Sequence, residues 1–338
     1  MAHGYKSVQW TPYKKAFDIG LGLTVATFIA AFVGSALTAF PDERPQLIQI
    51  LIRAFGAAAL SLLTVILMIG PLARFSTRFL PLLYNRRHLG VTCFGLAMIH
   101  AALVIVWYHG FSDLNPLISL LTSNPRYDSI QGFPFEALGL LALLVLFVMA
   151  ATSHDFWNSN LGPGLWKAIH MSVYGAYGLI VAHVMLGAVQ GQKGLAYAAI
   201  VGAGAVSLTV LHVLSGRREV RFDRSAAAPD LEGWLRVGLP HEIKDGRAKI
   251  VAVPEGERIA VFRDGDSFYA VSNLCAHQGG PLGEGRVLDG CVTCPWHGFQ
   301  FRLIDGRAPA PFTDRVATFA TRLADGVVYV RTTPEATA

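Results

Sequence analysis

Six long apolar runs dominate the first two thirds of the chain, at 16–38, 51–72, 89–110, 133–152, 166–189 and 195–214. A bilayer-spanning helix needs about 20 mostly apolar residues. In lipid each backbone polar group must be satisfied internally, so runs of this length read as helices. Breakers separate them: Pro41 and Pro45 follow the first, Pro71 ends the second, Pro116 and Pro125 lie in the third loop, and Gly162-Pro163-Gly164 precedes the fifth. Gly202 and Gly204 dilute the sixth, but small residues are common where membrane helices pack closely. The first run follows Lys14-Lys15 and resembles a secretory signal. More long runs follow it, so it reads as the first span of an all-α six-helix transmembrane bundle covering 1–224.

Charge divides the chain in the same place. Residues 1–224 carry 16 Lys/Arg and 9 Asp/Glu, and residues 225–338 carry 12 and 14. The basic residues flank apolar spans, where membrane topology explains them better than nucleic acid. One side of the bundle collects Lys6, Lys14, Lys15, Arg74, Arg78, Arg86, Arg87, Lys167, Arg217, Arg218, Arg221 and Arg224. The other collects Arg44, Arg53, Arg126 and Lys193. Positive charge stays inside, so both termini are expected in the cytoplasm of a multi-pass protein of a bacterial inner membrane.

Six histidines fall in or beside the spans: His88, His100, His109, His170, His183 and His212. Ionisable residues inside a membrane are functional candidates by default, and imidazole is a common axial ligand of haem iron. His170 and His183 are 13 residues apart on the fifth run, a rise of about 20 Å on one continuous helix. That separation suits two stacked haems. His88 could then pair with His170 and His100 with His183. His100 could instead pair with His170 around a single haem, and His212 is a rival partner for His170. For His88, His109 and His212, interhelical hydrogen bonding is an equally good reading.

These residues resemble the ferric reductase-like transmembrane family over roughly 50–214. The resemblance rests on Arg86-Arg87-His88-Leu89-Gly90 and then His100, on Thr152-Ser153, on Leu165-Trp166-Lys167-Ala168-Ile169-His170, and on His183. It implies six helices, one or two b haems and electron transfer across the bilayer. His100, His170 and His183 match the family's histidine positions, and His88 does not clearly match one.

Beyond the spans the pattern changes. Residues 215–230 read as a linker, with arginines at the membrane exit and a helix-breaking 225–229. Short alternating runs follow at 250–253, 259–262, 268–271 and 327–330, punctuated by Asp264-Gly265, Asp305-Gly306 and Asp325-Gly326. That predicts a small all-β domain with tight hairpins. Within it stands Cys275-x-His277, a gap of 16 residues, then Cys294-x-x-His297. Rieske centres bind one iron through two thiolates and the other through two imidazoles, so each loop must give one Cys and one His. A Cys2His2 zinc site, the rival, usually pairs Cys with Cys and His with His.

The context resembles the Rieske family over about 230–332: Cys275-Ala276-His277-Gln278-Gly279-Gly280-Pro281-Leu282, and Cys294-Pro295-Trp296-His297-Gly298. It implies a [2Fe–2S] cluster on Cys275, His277, Cys294 and His297. Respiratory members carry a disulfide between the two loops and a Ser that hydrogen-bonds the cluster. Gly279 and Trp296 stand at the first positions and Phe299 at the second. Fewer bonds to the sulfurs lower the potential, towards about −150 mV in the Rieske range. Cys291 reads as a small core residue.

Together these features predict electron transfer from a cytoplasmic reductase or ferredoxin through the cluster to membrane haem, and on to a periplasmic partner or quinone. A membrane-tethered Rieske ferredoxin or redox sensor is the alternative. A Rieske oxygenase would need a further two-His-one-carboxylate iron, and no His follows His297. A respiratory quinol-oxidising subunit usually has a single anchor rather than six spans. No G-x-G-x-x-G follows a strand, so a nucleotide-using reductase would be a separate partner.

Overall fold

The computed structural model describes residues 12–39, 46–154, 157, 160–190, 195–277, 279–296, 298–310 and 312–335. They form two units. One holds the described residues from Pro12 to Leu72 with Asn85–His212, and the other holds Ala73–Tyr84 with the described residues from Val213 on.

The helices in chain order are α1 (Pro12–Ala39), α2 (Leu47–Phe75), α3 (Leu80–Tyr84), α4 (Arg86–Val104), α5 (Pro116–Thr122), α6 (Phe135–Thr152), α7 (Pro163–Met171), α8 (Val173–Gln190) and α9 (Leu195–Arg224). α4 runs on into a π-helical turn at Ile105–His109. Among the described residues, six helical stretches are long and apolar enough to cross a membrane, and they coincide with the six runs. The chain is a multi-pass membrane protein.

Five of the spans meet in one core of Leu60, Leu63 and Leu67 from α2, Cys93 from α4, Leu146 from α6, Val173, Ala176 and Tyr177 from α8, and Val201 and Leu208 from α9. α1 lays Val25 and Ile29 against Ala58, Ala59 and Leu96. Polar groups inside this unit bond across helices. The Thr64 and Tyr177 hydroxyls lie 3.2 Å apart, and Trp166 Nε1 donates to the Thr152 carbonyl at 3.3 Å.

Three expectations for the helices are corrected. Pro71 lies inside α2 instead of ending it, as membrane helices allow when neighbours satisfy the freed backbone. The fifth span is not one continuous helix. The Ser172 N–H bonds to the Ile169 carbonyl at 3.2 Å and its hydroxyl returns to the same oxygen at 2.5 Å. This local competition for the backbone interrupts the span at Ser172, between α7 and α8, while Ser172 keeps right-handed helical φ and ψ of −63° and −11°. Finally, 215–224 is not linker but the last turns of α9.

A charge-based clamp explains that extension. Arg258 Nε donates to Asp223 Oδ1 at 2.7 Å and Nη2 to Asp223 Oδ2 at 2.9 Å, and Nη1 pairs with Glu219. The guanidinium also lies 5.1 Å from the Phe222 ring centroid. The two carboxylates beside it raise the Arg258 pKa, so it stays charged. Here, chain that is neither helix nor strand is confined to 225–233, which contains the Ala-Pro run expected to break a helix.

The rest of the second unit is all-β, as expected. β1 (Trp234–Gly238), β2 (Ala248–Val251), β3 (Ile259–Asp264), β4 (Ser267–Ser272), β8 (Thr318–Ala324) and β9 (Val327–Pro334) form one antiparallel sheet in the order β1-β9-β8-β4-β3-β2. β5 (Arg286–Leu288), β6 (Cys291–Thr293) and β7 (Gln300–Arg302) form a second. β3 is buried on both faces. Ile259 and Val261 join Leu235, Ile243, Val328 and Val330 on one side, while Ala260 and Phe262 join Val292, Phe299 and Phe301 on the other. That explains its unbroken apolar run.

The Asp325-Gly326 hairpin has positive φ at both central residues, the geometry that selects Asp-Gly. Gly265 turns β3 into β4 at φ +61°. Asp305-Gly306 does not join two strands. Gly306 N–H returns to the Arg302 carbonyl at 2.9 Å, and a Cβ there would lie 2.1 Å from the Val316 carbonyl oxygen. Cys291 is half-buried on β6 rather than in the core; partial burial raises its thiol pKa.

Candidate functional site

The two cysteine-histidine loops share one backbone design despite different spacing. In the first, Cys275 N–H donates to the Gly280 carbonyl at 2.9 Å and Gly279 N–H to the Cys275 carbonyl at 2.7 Å. In the second, Cys294 N–H donates to the Phe299 carbonyl at 2.8 Å and Gly298 N–H to the Cys294 carbonyl at 2.9 Å. Both glycines have left-handed φ, +73° and +74°, which costs a side chain strain that glycine avoids. The glycine four residues after each cysteine closes each loop.

The loops meet tightly. A Cβ on Gly280 would come within 2.7 Å of Cys294 Sγ and 3.1 Å of the Trp296 ring. Cys275 and Cys294 are both buried in the core between the sheets. His277 is half-buried, and its ring stacks on Phe299 with centroids 4.8 Å apart and planes 5° from parallel. His297 lies outside the described residues. Two buried thiols and an imidazole on adjoining loops, held where only glycine fits, suit an iron–sulfur group. The motif glycines are expected to let the loops close; the Phe299–His277 stack is a feature the motif alone did not announce.

In the membrane unit the histidines are sorted by their hydrogen bonds. His100 on α4 and His183 on α8 face each other with ring centroids 6.4 Å apart. His100 Nδ1 bonds the Ile52 carbonyl and His183 Nδ1 the Phe135 carbonyl, each at 2.8 Å. Where Nδ1 donates in such a bond, the tautomer is fixed and Nε2 is available to a metal. A metal held by both imidazoles would fit between rings at this separation. Glycine makes room for both rings. A Cβ on Gly56 would lie 3.0 Å from His100 Nδ1, and one on Gly139 2.8 Å from His183 Nδ1. The donor set and its glycine cradles fit a haem iron.

The other histidines have different partners. His170 stacks on Trp166 at 3.6 Å, bonds that residue's carbonyl at 3.0 Å through Nδ1, and lies 3.3 Å from the Ser153 hydroxyl through Nε2. His88 Nδ1 meets Asp18 Oδ1 at 2.7 Å. His212 Nδ1 bonds the Leu208 carbonyl of its own helix at 3.0 Å, and Nε2 lies 3.1 Å from the Tyr174 hydroxyl. The structure thus brings His100 to His183. Sequence spacing offered that pairing without selecting it. Gly56, Gly139 and Asp18 escaped sequence reasoning, because a lone glycine or aspartate in a span carries no partner information.

Comparison with known proteins matches each part separately. The Rieske [2Fe-2S] domain profile matches residues 233–320, and that of the ferric reductase like transmembrane component matches 55–181. The chain is 49% identical over 74 residues to the anthranilate 1,2-dioxygenase ferredoxin subunit of Burkholderia cepacia, covering 21% of this chain and 68% of that protein. It is 33% identical over 98 residues to Ferredoxin CarAc of Metapseudomonas resinovorans, 29% of this chain and 92% of that one. It is 33% identical over 168 residues to the protein-methionine-sulfoxide reductase heme-binding subunit MsrQ of Caulobacter vibrioides, 50% of this chain and 73% of that protein.

Proposed function

Because the chain belongs to the ferric reductase-like transmembrane family and carries a Rieske [2Fe–2S] domain, we propose that it moves electrons across the membrane, from a cytoplasmic reductase or ferredoxin to an acceptor on the far side, a periplasmic partner or quinone. A membrane redox role follows from the two domains together; direction and partners are our reading. The observation that carries it is the His100–His183 pair, each Nδ1 anchored on a carbonyl and the rings 6.4 Å apart.

The cluster and b haem, when bound, supply one-electron chemistry that no side chain here provides. The chain's own residues hold and tune them. Cys275 and Cys294 would offer thiolates, and His277 and His297 would offer imidazoles. Phe299 covers the His277 ring with no hydroxyl to bond the sulfurs, which keeps the potential low. His100 and His183 would ligate one haem. His170 would serve a second on the cytoplasmic side, with His88, oriented by Asp18, or His212 as its partner. Both termini, and 225–338, lie in the cytoplasm of a bacterial inner membrane on this reading.

Pyridine haemochrome content normalised to acid-labile sulfide tests it. One or two b haems per [2Fe–2S] cluster are expected. An intact cluster with no haem, from a haem-replete host, would leave a membrane-tethered ferredoxin or sensor.

A further inference from the structure

We propose that His109 and Glu136 form a proton-binding site that fills when an electron reaches the centre held by His100 and His183. The inference rests on the transmembrane reading above. His109 is the most buried histidine among the described residues, 3% exposed. It ends α4 on the π-helical turn Ile105–His109, a winding often found at functional sites. Its Nδ1 lies 3.0 Å from the Ser119 hydroxyl of α5. Its Nε2 is fully buried with no hydrogen-bond partner among the described residues, and points towards Glu136 Oε1 at 3.9 Å. Glu136 opens α6, is 17% exposed, and takes a hydrogen bond from the Ser123 hydroxyl. One face of the pair is thus sealed and the other reaches the surface, as a proton-exchanging group requires.

α5 carries no ionisable residue, and Glu136 is the only one on α6. Tyr108 on the same turn and Asp113 in the following loop are exposed. Arg126, Tyr127 and Asp128, in the segment between α5 and α6, are exposed as well, and His100, nine residues back on α4, and His183 are the titratable side chains of the centre itself. Glu136 directly follows Phe135, whose carbonyl anchors His183 Nδ1 at 2.8 Å.

The balance is one electron and one proton. The electron adds a negative charge at the centre. A proton from far-side water adds to Nε2 of His109, converting imidazole to imidazolium beside the Glu136 carboxylate. Both leave on reoxidation, the electron to the outside acceptor. Nine residues of helix place His109 about 13 Å beyond His100. At that range, and an effective dielectric near 20, one charge changes proton affinity about tenfold.

Spectroscopic redox titration of the purified full-length protein between pH 5 and 9, with proton uptake on reduction followed by a pH dye, tests this. A tenfold coupling corresponds to a total fall of about 59 mV in haem potential across the range for a one-electron couple. His109→Gln is expected to abolish the fall and the matching proton uptake while retaining haem. Glu136→Gln is expected to reduce both, and Tyr108→Phe to leave both unchanged. A haem potential independent of pH in the wild type, a pH dependence kept in His109→Gln, or one undiminished in Glu136→Gln, would overturn this inference alone. Protein without haem would overturn the transmembrane reading and this inference with it.

Discussion

Single glycines decide whether the two candidate centres have room. Gly280 meets Cys294 Sγ and Trp296, so Gly280→Ala forces the two loops apart. Overpacking of this kind costs about 1–3 kcal/mol. The expected result is loss of the cluster's visible absorption, while the circular dichroism of the β domain is kept. Gly139 lies against the His183 ring in the same way. Gly139→Val should lower haem content as strongly as His183→Ala, whereas substitution at Gly164, which has no neighbour within 4 Å of an added Cβ, should not. The Cys and His residues were legible in the sequence because metal ligation needs particular residue types at short spacing. The motif glycines were legible with them, but Gly56 and Gly139 were not, since what a missing side chain leaves room for there depends on another element.

At the scale of elements, the sixth span and the β domain are tied by charge. Arg258 on the loop before β3 holds Glu219 and Asp223 on the last turns of α9. The pairs are partly exposed, so each is worth at most about 1 kcal/mol. Arg258→Ala should therefore change the melting temperature little, yet raise amide hydrogen exchange across 217–224, where the helix loses its counter-charge. Arg258→Lys should restore only part of the protection, because a point charge cannot replace the planar fork. Unchanged exchange in Arg258→Ala would show that α9 holds those turns by itself. The helix extension was hidden in the sequence because its support comes from a residue 35 positions on. The break at Ser172 was hidden for a nearer reason. A serine in an apolar run reads as tolerated, and its side-chain bond to Ile169 emerges only in the folded backbone.

For the whole molecule, the asymmetry of twelve basic residues against four predicts that reporters fused to either end remain cytoplasmic. An alkaline phosphatase fused at the C-terminus should be inactive, and one placed in the loop after α4 active; the opposite pattern would reverse the orientation. The sequence by itself determined the six spans, because lipid demands about 20 apolar residues for each. It also determined the all-β domain, through its alternation and its Asp-Gly turns, and the cysteine-histidine loops, through ligand chemistry. Only the tertiary structure decided which histidines meet. His100 and His183 are 83 positions apart on different helices, and the Ile52 and Phe135 carbonyls, with Gly56 and Gly139, set where their rings lie. Local residue pattern encodes what a segment can become, but a binding pair is a relation between segments, and packing alone supplies it.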